Sequence, residues 1–407
     1  MLYYLGKLLE KWDVTGARLL GYVSFRAIVA FVLALLFATW TGGYIIKFLH
    51  RKSIGETIRQ LGLEGQQRKH NTPTMGGIII ILAILLPTIL FCRLDNVYVL
   101  LMIFTTLMMG AIGFIDDYIK VFKKNKAGLK GKYKIIGQVV TGLVVGMVLY
   151  LSPSVTINEN SETLNPETNR VESVSFANEE VKSTKTTIPF VKNNNFDYAD
   201  LIPFKGEAQQ AITWGFYIVM IILIVTFISN CVNLTDGLDG LASGTAAPVG
   251  LVLLVLAYVS SHINFASYLN IMFIPGTEEL VIFGAAFVGA TLGFLWYNSF
   301  PAQIFMGDTG SLTLGGIIAV FAIIVRKELL LPIMTGLFII EGLSSLLQTG
   351  YFKFTKHRTG VGKRIFKMSP LHHHFQKAGD TSIDALIKRP LKTIPENKIT
   401  VRFWLIA

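Results

Sequence analysis

The fold is decided by the stretch at residues 97–118, which reads VYVLLMIFTTLMMGAIGFIDDY. Its first 19 residues carry no charge, and a helix needs about 20 such residues to cross a bilayer. The run ends in two adjacent carboxylates, Asp116 and Asp117. The stretch therefore predicts a membrane-spanning helix with acidic residues at one end.

Similar apolar runs recur along the chain, of which 52% is apolar and only 15% charged. An ordinary soluble domain has about 25% charged residues, so a soluble enzyme, a disordered chain and a disulfide-stapled module are excluded. We predict an all-α polytopic membrane protein with about ten helices, forming a single integral-membrane domain over residues 1–407 without a cleavable signal peptide. The nine complete spans lie near 21–46, 75–91, 97–115, 134–151, 211–229, 241–260, 279–297, 311–326 and 330–350. A tenth begins near Ile399, but the sequence stops at Ala407, so this segment is either truncated or interfacial.

Basic residues predict the orientation in the membrane. Three loops, 47–72, 116–134 and 351–382, hold 20 of the 37 lysines and arginines and follow spans one, three and nine. The positive-inside rule makes that face cytoplasmic and the N-terminus external. The net charge of +11 could by itself fit a nucleic-acid partner, but its placement beside the membrane argues against one.

The polar loop between spans four and five, residues 152–210, should be an external insert. Alternating residues at 170–176 and 186–191 could form a hairpin, and a flexible tether is equally compatible with the composition. Cys92 and Cys231 fall at opposite ends of the bilayer, so we expect no disulfide.

Two segments resemble each other: TPTMGGII at 72–79 and SLTLGGII at 311–318. Each opens a predicted span with hydroxyl and small residues. One interpretation is helix capping with close packing through glycine. The other is that free backbone N–H groups at these helix ends face an anion.

Five aspartates fall at the predicted cytoplasmic face: Asp116, Asp117, Asp236, Asp239 and Asp308. Carboxylates near membrane depth are costly and usually functional. Mg²⁺ binds through one or two carboxylates and substrate phosphates, and nearby lysines would neutralise a pyrophosphate. The alternative for each is a helix cap or turn, strongest for Asp239, which precedes a glycine. Neighbours on a helix point about 100° apart, so Asp116 and Asp117 should not share one role.

The last basic loop contains His372, His373 and His374. Three consecutive histidines converge poorly on one metal, and histidine is a poor Mg²⁺ ligand. Contacts to phosphate or uracil are the functional interpretation, and a solvent-facing run is the alternative. Glu341, Ser345 and Gln348 share one face of span nine, a pattern typical of interhelical hydrogen bonding.

Together these motifs resemble the phospho-N-acetylmuramoyl-pentapeptide-transferase family of the polyprenyl-phosphate N-acetylhexosamine-1-phosphate transferase superfamily. Five segments match in family order: Thr72–Gly77, Asp116–Asp117, Asn233–Gly240, Phe305–Asp308 and Pro370–His374. The resemblance implies a Mg²⁺-dependent enzyme of the bacterial inner membrane, a homodimer with a cytoplasmic active-site cleft. It would transfer phospho-MurNAc-pentapeptide from UDP to undecaprenyl phosphate. The external insert is longer than the family usually carries.

The resemblance also implies roles for individual residues. Asp308 would bind Mg²⁺, while Asp116 and Asp117 would act on the lipid phosphate or help to place the metal. The histidines 372–374 would contact the diphosphate or the sugar, and Phe305 could stack on uracil. The remaining substrate-binding candidates are Lys69, Thr74, Lys130, Lys132, Asn233, Asp236, Asp239 and Asn298.

Two questions stay open at the level of sequence. The transfer could be a direct attack by the lipid phosphate, or it could pass through an aspartyl-phosphate on Asp116 or Asp117. The protein could also be a sibling transferase that uses another UDP-N-acetylhexosamine, or a cation-coupled transporter.

Overall fold

The computed structural model describes residues 1–51, 72–125, 127–164, 171–176, 180–188, 194–203, 206–380 and 382–407. Fourteen α-helices and four short strands make up the regular structure of these residues. The helices are α1 Leu2–Glu10, α2 Val23–Arg51, α3 Gly77–Phe91, α4 Val97–Val121, α5 Gly131–Leu151, α6 Glu207–Thr235, α7 Leu241–Ser260, α8 Ile263–Tyr268, α9 Glu278–Asn298, α10 Gly307–Ile324, α11 Leu331–Met334, α12 Gly336–Thr359, α13 Leu371–Gln376 and α14 Glu396–Ile406. The strands are β1 Asn160–Leu164, β2 Val171–Phe176, β3 Lys185–Thr187 and β4 Asn195–Asp197.

The membrane-spanning architecture is confirmed. Within the described ranges, seven helices are long and apolar enough to cross a bilayer: α2, α4, α5, α6, α7, α9 and α10. The eighth candidate is a bent pair, a broken span or a re-entrant loop, in which the Glu328–Met334 segment and α12 meet at 81°. Helix α3 is apolar but shorter, with 15 residues. Each of the nine predicted spans therefore coincides with one of these helices, and α14 begins where the tenth was expected.

Helix α10 lies at the centre of the bundle and every residue from Thr309 to Ile324 is buried. It packs on α3, α4, α6 and α7, while α9 packs on α2, α3 and α7. Small residues allow this density: a Cβ placed on Gly315 would lie 2.6 Å from the Cα of Ser229. Close backbone approach through small residues is how membrane helices associate without a hydrophobic driving force.

Two predicted helix boundaries were wrong near the aspartates. Helix α4 continues to Val121, past the predicted end at 115, so that Asp116 and Asp117 are helical. Helix α10 begins at Gly307 rather than at 311, which places Asp308 in its first turn. Ser311 is consequently not a cap, because its hydroxyl donates to the Gly307 carbonyl inside the helix.

The insert forms two small antiparallel sheets, β1 with β2 and β3 with β4. The two alternating stretches noted in the sequence thus belong to different hairpins. The second hairpin docks on the turn after α10: Thr187 N–H donates to the Arg326 carbonyl, and Lys327 Nζ donates to Thr187 Oγ1 at 2.8 Å. This part of the insert is therefore packed against the bundle, at the end of α10 opposite Asp308.

A buried ion pair joins the first residues of α2 and α9. Arg26 donates through both terminal nitrogens to Glu279, at 2.9 and 2.8 Å, and the two side chains are 2% and 1% exposed. Bidentate geometry is what a buried pair needs to offset its desolvation. Arg26 also donates to the Phe91 carbonyl, which links α3 to the same point.

Candidate active site

Three carboxylates meet where the end of α4 faces the start of α10. One ligand oxygen from each of Asp116, Asp117 and Asp308 lies within 4.8 Å of the others. Asp116 and Asp117 are buried, whereas the side chain of Asp308 is 14% exposed. The sequence motifs, separated by 191 residues, are thus brought together as predicted.

Glycines bring the two helices this close. A Cβ placed on Gly113 of α4 would lie 2.1 Å from the carbonyl oxygen of Asp308, and one on Gly77 of α3 would lie 2.1 Å from the backbone nitrogen of Gly310. The backbones themselves are therefore in contact. Gly77 lies in the first of the two similar GGII segments and Gly315 in the second, so close packing through glycine is confirmed for both.

The segment before α3 also pairs with the segment before α10. Phe305 N–H donates to the Pro73 carbonyl, and Gly76 and Gly77 N–H donate to the carbonyls of Phe305 and Met306. Thr74, which lies inside this pairing, is buried, and a Cβ on Gly307 would lie 3.0 Å from its hydroxyl oxygen. The predicted residue Thr74 therefore lies beside the carboxylate cluster.

Asp117 caps the N-terminus of α10 from a neighbouring helix. Its Oδ1 accepts from Asp308 N–H at 3.1 Å, and its Oδ2 accepts from Thr309 N–H at 2.9 Å and Thr309 Oγ1 at 2.6 Å. A carboxylate at a helix N-terminus satisfies free N–H groups and complements the helix dipole. The negatively charged group that faces this helix end is therefore the Asp117 carboxylate of the protein itself.

Asp116 faces a different set of groups. Lys120 Nζ lies 2.5 Å from Asp116 Oδ2 and 3.2 Å from Asp308 Oδ1. Lys134 Nζ lies 2.9 Å from Asp116 Oδ1 and 2.5 Å from Asp308 Oδ2. Two ammonium groups therefore bridge Asp116 and Asp308, and the adjacent aspartates have different surroundings, as their helical spacing predicts.

The lysines that the sequence analysis named are placed elsewhere. Lys130 and Lys132 are exposed, and among the described residues neither forms an ion pair with these carboxylates. Lys69 lies outside the described residues. Lys120 and Lys134 were missed as contacts, because a row of lysines in one loop gives no indication of which ones turn toward the site.

The 233–240 loop is held by neighbouring elements on two sides. Asn233 Nδ2 donates to Ser311 Oγ of α10 at 2.8 Å, and Asp236 ends α6 as its C-cap. Asp239 Oδ2 accepts from Ala302 N–H at 3.0 Å, while Asp239 N–H donates to Glu396 Oε1 at 2.9 Å. Asp239 thus has the turn-stabilising contacts that its following glycine suggested.

Helix α14 contributes to the same loop. Trp404 Nε1 donates to the Gly240 carbonyl at 3.0 Å, and Thr400 Oγ1 lies 3.3 Å from the Asp239 carbonyl. The segment near Ile399 therefore packs on the 233–240 loop. Sequence reasoning missed this role, for which the chain carries no local signal.

Asn298 and Phe305 flank the segment that leads to α10. Asn298 is buried, its Oδ1 accepts from Ser243 Oγ at 2.9 Å, and its Nδ2 donates to the Ile304 carbonyl at 2.9 Å. Asn298 thereby fixes the backbone beside Phe305, whose ring is half-buried.

The three histidines have three different environments. His372 Nδ1 lies 3.0 Å from Glu341 Oε2, and His373 Nδ1 lies 2.7 Å from Gln376 Oε1. His374 uses both ring nitrogens, because Nδ1 accepts from Lys367 N–H and Nε2 lies 2.9 Å from the Arg389 carbonyl. Burial lowers the pKa of His374, which favours its neutral form. The three rings do not converge on one point.

The polar face of α12 holds the loop that carries these histidines. Glu341 contacts His372, and Gln348 accepts from the backbone N–H groups of Ile365 and Phe366, each at 3.0 Å. The expected hydrogen bonding is therefore present, and its partners are His372 of the short helix α13 and backbone groups of the segment before that helix.

Comparison with known proteins identifies the family. Residues 99–326 match the model for glycosyl transferase family 4, and residues 69–81 match phospho-N-acetylmuramoyl-pentapeptide-transferase signature 1. Curated proteins named phospho-N-acetylmuramoyl-pentapeptide-transferase are 65% identical in Porphyromonas gingivalis, 60% in Parabacteroides distasonis and 52% in Flavobacterium psychrophilum. Each alignment covers 100% of this chain and 97% of the relative. The chain belongs to the phospho-N-acetylmuramoyl-pentapeptide-transferase family.

Proposed function

We propose that the protein carries out the reaction for which its family is named. It transfers phospho-MurNAc-pentapeptide from UDP-MurNAc-pentapeptide to undecaprenyl phosphate, releasing UMP and forming lipid I for peptidoglycan synthesis. The observation that carries this proposal is the cluster of Asp116, Asp117 and Asp308 with two bridging lysines. Such a cluster suits a substrate that brings two or more phosphate groups.

We assign the Mg²⁺ site to Asp308 and Asp116. Both offer hard oxygen ligands, and each now faces the ammonium groups of Lys120 and Lys134, which a metal would displace toward the substrate phosphates. A bound Mg²⁺ would neutralise the pyrophosphate charge and orient it. One oxygen of Asp116 also accepts from Leu129 N–H, whereas both oxygens of Asp117 are held by hydrogen bonds from Asp308 and Thr309 that would have to break before Asp117 could bind the metal.

The same contacts favour direct transfer. An oxygen of the lipid phosphate attacks the sugar-linked phosphorus, a new P–O bond forms, and the bond to UMP breaks. The lipid phosphate is largely ionised near neutral pH, since the second pKa of a phosphate monoester is about 6. Little proton abstraction is needed, and Asp117 holds the α10 terminus in place while Lys120 and Lys134 offset phosphate charge.

The nucleotide and sugar would bind around the 233–240 loop. Asn233 lies in the last turn of α6, and Asp236 and Asp239 follow it in that loop. Phe305, in the segment that leads to α10, would stack on uracil. His372 and His373 would contact the diphosphate or the sugar, whereas both ring nitrogens of His374 are engaged by backbone groups.

We place the carboxylate cluster on the cytoplasmic face of the bacterial inner membrane, within a cleft. The three basic loops follow spans one, three and nine, and span three, α4, ends at this cluster, so the positive-inside rule assigns the cluster to the cytoplasmic side. The insert would then be external. A homodimer is expected from the family resemblance, and cross-linking in native membranes would test it.

The test is UMP release by the full chain with UDP-MurNAc-pentapeptide, undecaprenyl phosphate and Mg²⁺. Activity should require all three components and disappear in Asp308→Asn. Asp384→Asn is the matched control, because that carboxylate is 98% exposed. Preference for another UDP-N-acetylhexosamine would indicate the sibling reaction. A burst of UMP from the UDP-substrate alone, with phosphate trapped on the enzyme, would contradict direct transfer.

A further inference from the structure

Glu341 of α12 and His372 of α13 form a fully buried pair. Both side chains are 0% exposed, and Nδ1 of the imidazole lies 3.0 Å from Glu341 Oε2. Glu341 Oε1 also accepts from the backbone N–H of His372 at 3.1 Å. In the described part of the chain, both contacts of this carboxylate go to one residue.

The pair determines which ring nitrogen of His372 is available. An ionised carboxylate can only accept hydrogen bonds, so Nδ1 must carry the proton that lies between the two groups. This holds whether the imidazole is neutral or protonated. Nε2 is then the one ring nitrogen left for a ligand.

His372 Nε2 is buried and has no hydrogen-bond partner among the residues that the structure describes. It lies against Gly237, where an added Cβ would be only 2.3 Å away. Gly237 follows Asp236 in the candidate nucleotide loop. A buried polar atom without a partner is unfavourable, so Nε2 requires a further polar group, and a polar group of the substrate would supply it.

We propose that Glu341 is a positioning residue for the transfer reaction, which fixes His372 so that Nε2 faces the nucleotide-sugar substrate. The inference rests on the proposed function. Glu341 does not touch the substrate. Its carboxylate sets the tautomer and the ring orientation, as outer partners of functional histidines do.

The test is a double-mutant cycle on UMP release by the full chain. In Glu341→Gln the side chain has one accepting oxygen for two donors, so the ring is no longer held. We expect kcat to fall about 10–100-fold, the usual cost of losing such a partner. His372→Ala should fall further, and the double variant should be no slower than His372→Ala alone.

Glu279→Gln is the matched control. It removes a buried carboxylate paired with Arg26 at the opposite end of the bundle, so it reports the effect of destabilisation alone. Rates are compared per folded enzyme, with the folded fraction taken from thermal unfolding.

Wild-type turnover is established first, so a failure here concerns Glu341 and not the reaction. Wild-type kcat in Glu341→Gln would overturn the inference. Losses that multiply in the double variant would overturn it as well, because Glu341 would then act independently of His372. Full activity of His372→Ala would show that the reaction does not need this histidine, and Glu341 would then have no positioning role.

Discussion

Replacing Gly113 by alanine should separate the two helices that carry the carboxylates. The new Cβ would lie 2.1 Å from the Asp308 carbonyl oxygen and 2.5 Å from the Thr309 Cα, and ordinary contacts begin at 3.4 Å. Both neighbours are backbone atoms, so no side chain can rotate away. Helices α4 and α10 must therefore part by about 1 Å.

The expected loss of stability follows from the hydrogen bond that this separation of the helices breaks. The 2.9 Å bond from Thr309 N–H to Asp117 would exceed hydrogen-bonding distance. Losing one charge-assisted bond costs about 1.5–3 kcal/mol, and overpacking adds about 1–3 kcal/mol. We expect the free energy of unfolding to fall by about 3–5 kcal/mol in total. A displacement of 1 Å near the reacting groups should lower kcat by about 100-fold.

Thermal unfolding in detergent and UMP release would be measured together. The control is Gly215→Ala in α6, where no atom lies within 4 Å of the added Cβ. That variant should keep its kcat and gain up to about 1 kcal/mol, since alanine is the better helix former. If Gly113→Ala matched the wild type in both stability and kcat, the close packing of these backbones would not matter.

Three further predictions concern the surroundings of the site. Lys134→Met removes a cation that bridges Asp116 and Asp308, so it should lower kcat by about 10²–10³-fold. The control is Lys123→Met, which replaces an exposed lysine between α4 and α5 and should leave kcat unchanged. Trp404→Ala, which frees the Gly240 carbonyl, should raise the KM for the UDP-substrate more than it lowers kcat. The pKa of His374 is lowered in the folded protein, so the unfolded chain binds a proton on this residue more tightly than the folded chain does. The free energy of unfolding should therefore drop as the pH falls below 6.5. In thermal unfolding, His374→Gln should weaken that pH dependence.

The spans were predictable because hydropathy alone separates them from the loops. Helix ends beside the site were not. Asp116, Asp117 and Lys120 read as a loop on hydropathy, yet α4 runs through all three. Lys120 pairs with Asp116 and Asp308, and Asp117 accepts N–H groups of α10, so the backbone stays helical where polarity predicts an end. The 81° break before α12 was missed as well, although Pro332, Thr335 and Gly336 interrupt the apolar run there.

The site was predictable as a set of motifs but not as a set of contacts. The sequence identified the three aspartates through their position at one membrane face. It did not distinguish Lys134 from Lys130 and Lys132, because these lysines lie at the start of α5 and the rotation of that helix decides which one points inward. The partner of His372 is 31 residues away on another helix, and no spacing rule connects them.

The glycine contacts among α3, α4 and α10 also limit how this enzyme can evolve. Any single nucleotide change in a glycine codon that alters the amino acid adds at least a Cβ, and at Gly77 or Gly113 that atom meets main chain. Related sequences would therefore keep these two glycines unchanged. Substitutions meet less resistance on α12 and α13, where side chains such as Glu341 and His372 make the contacts.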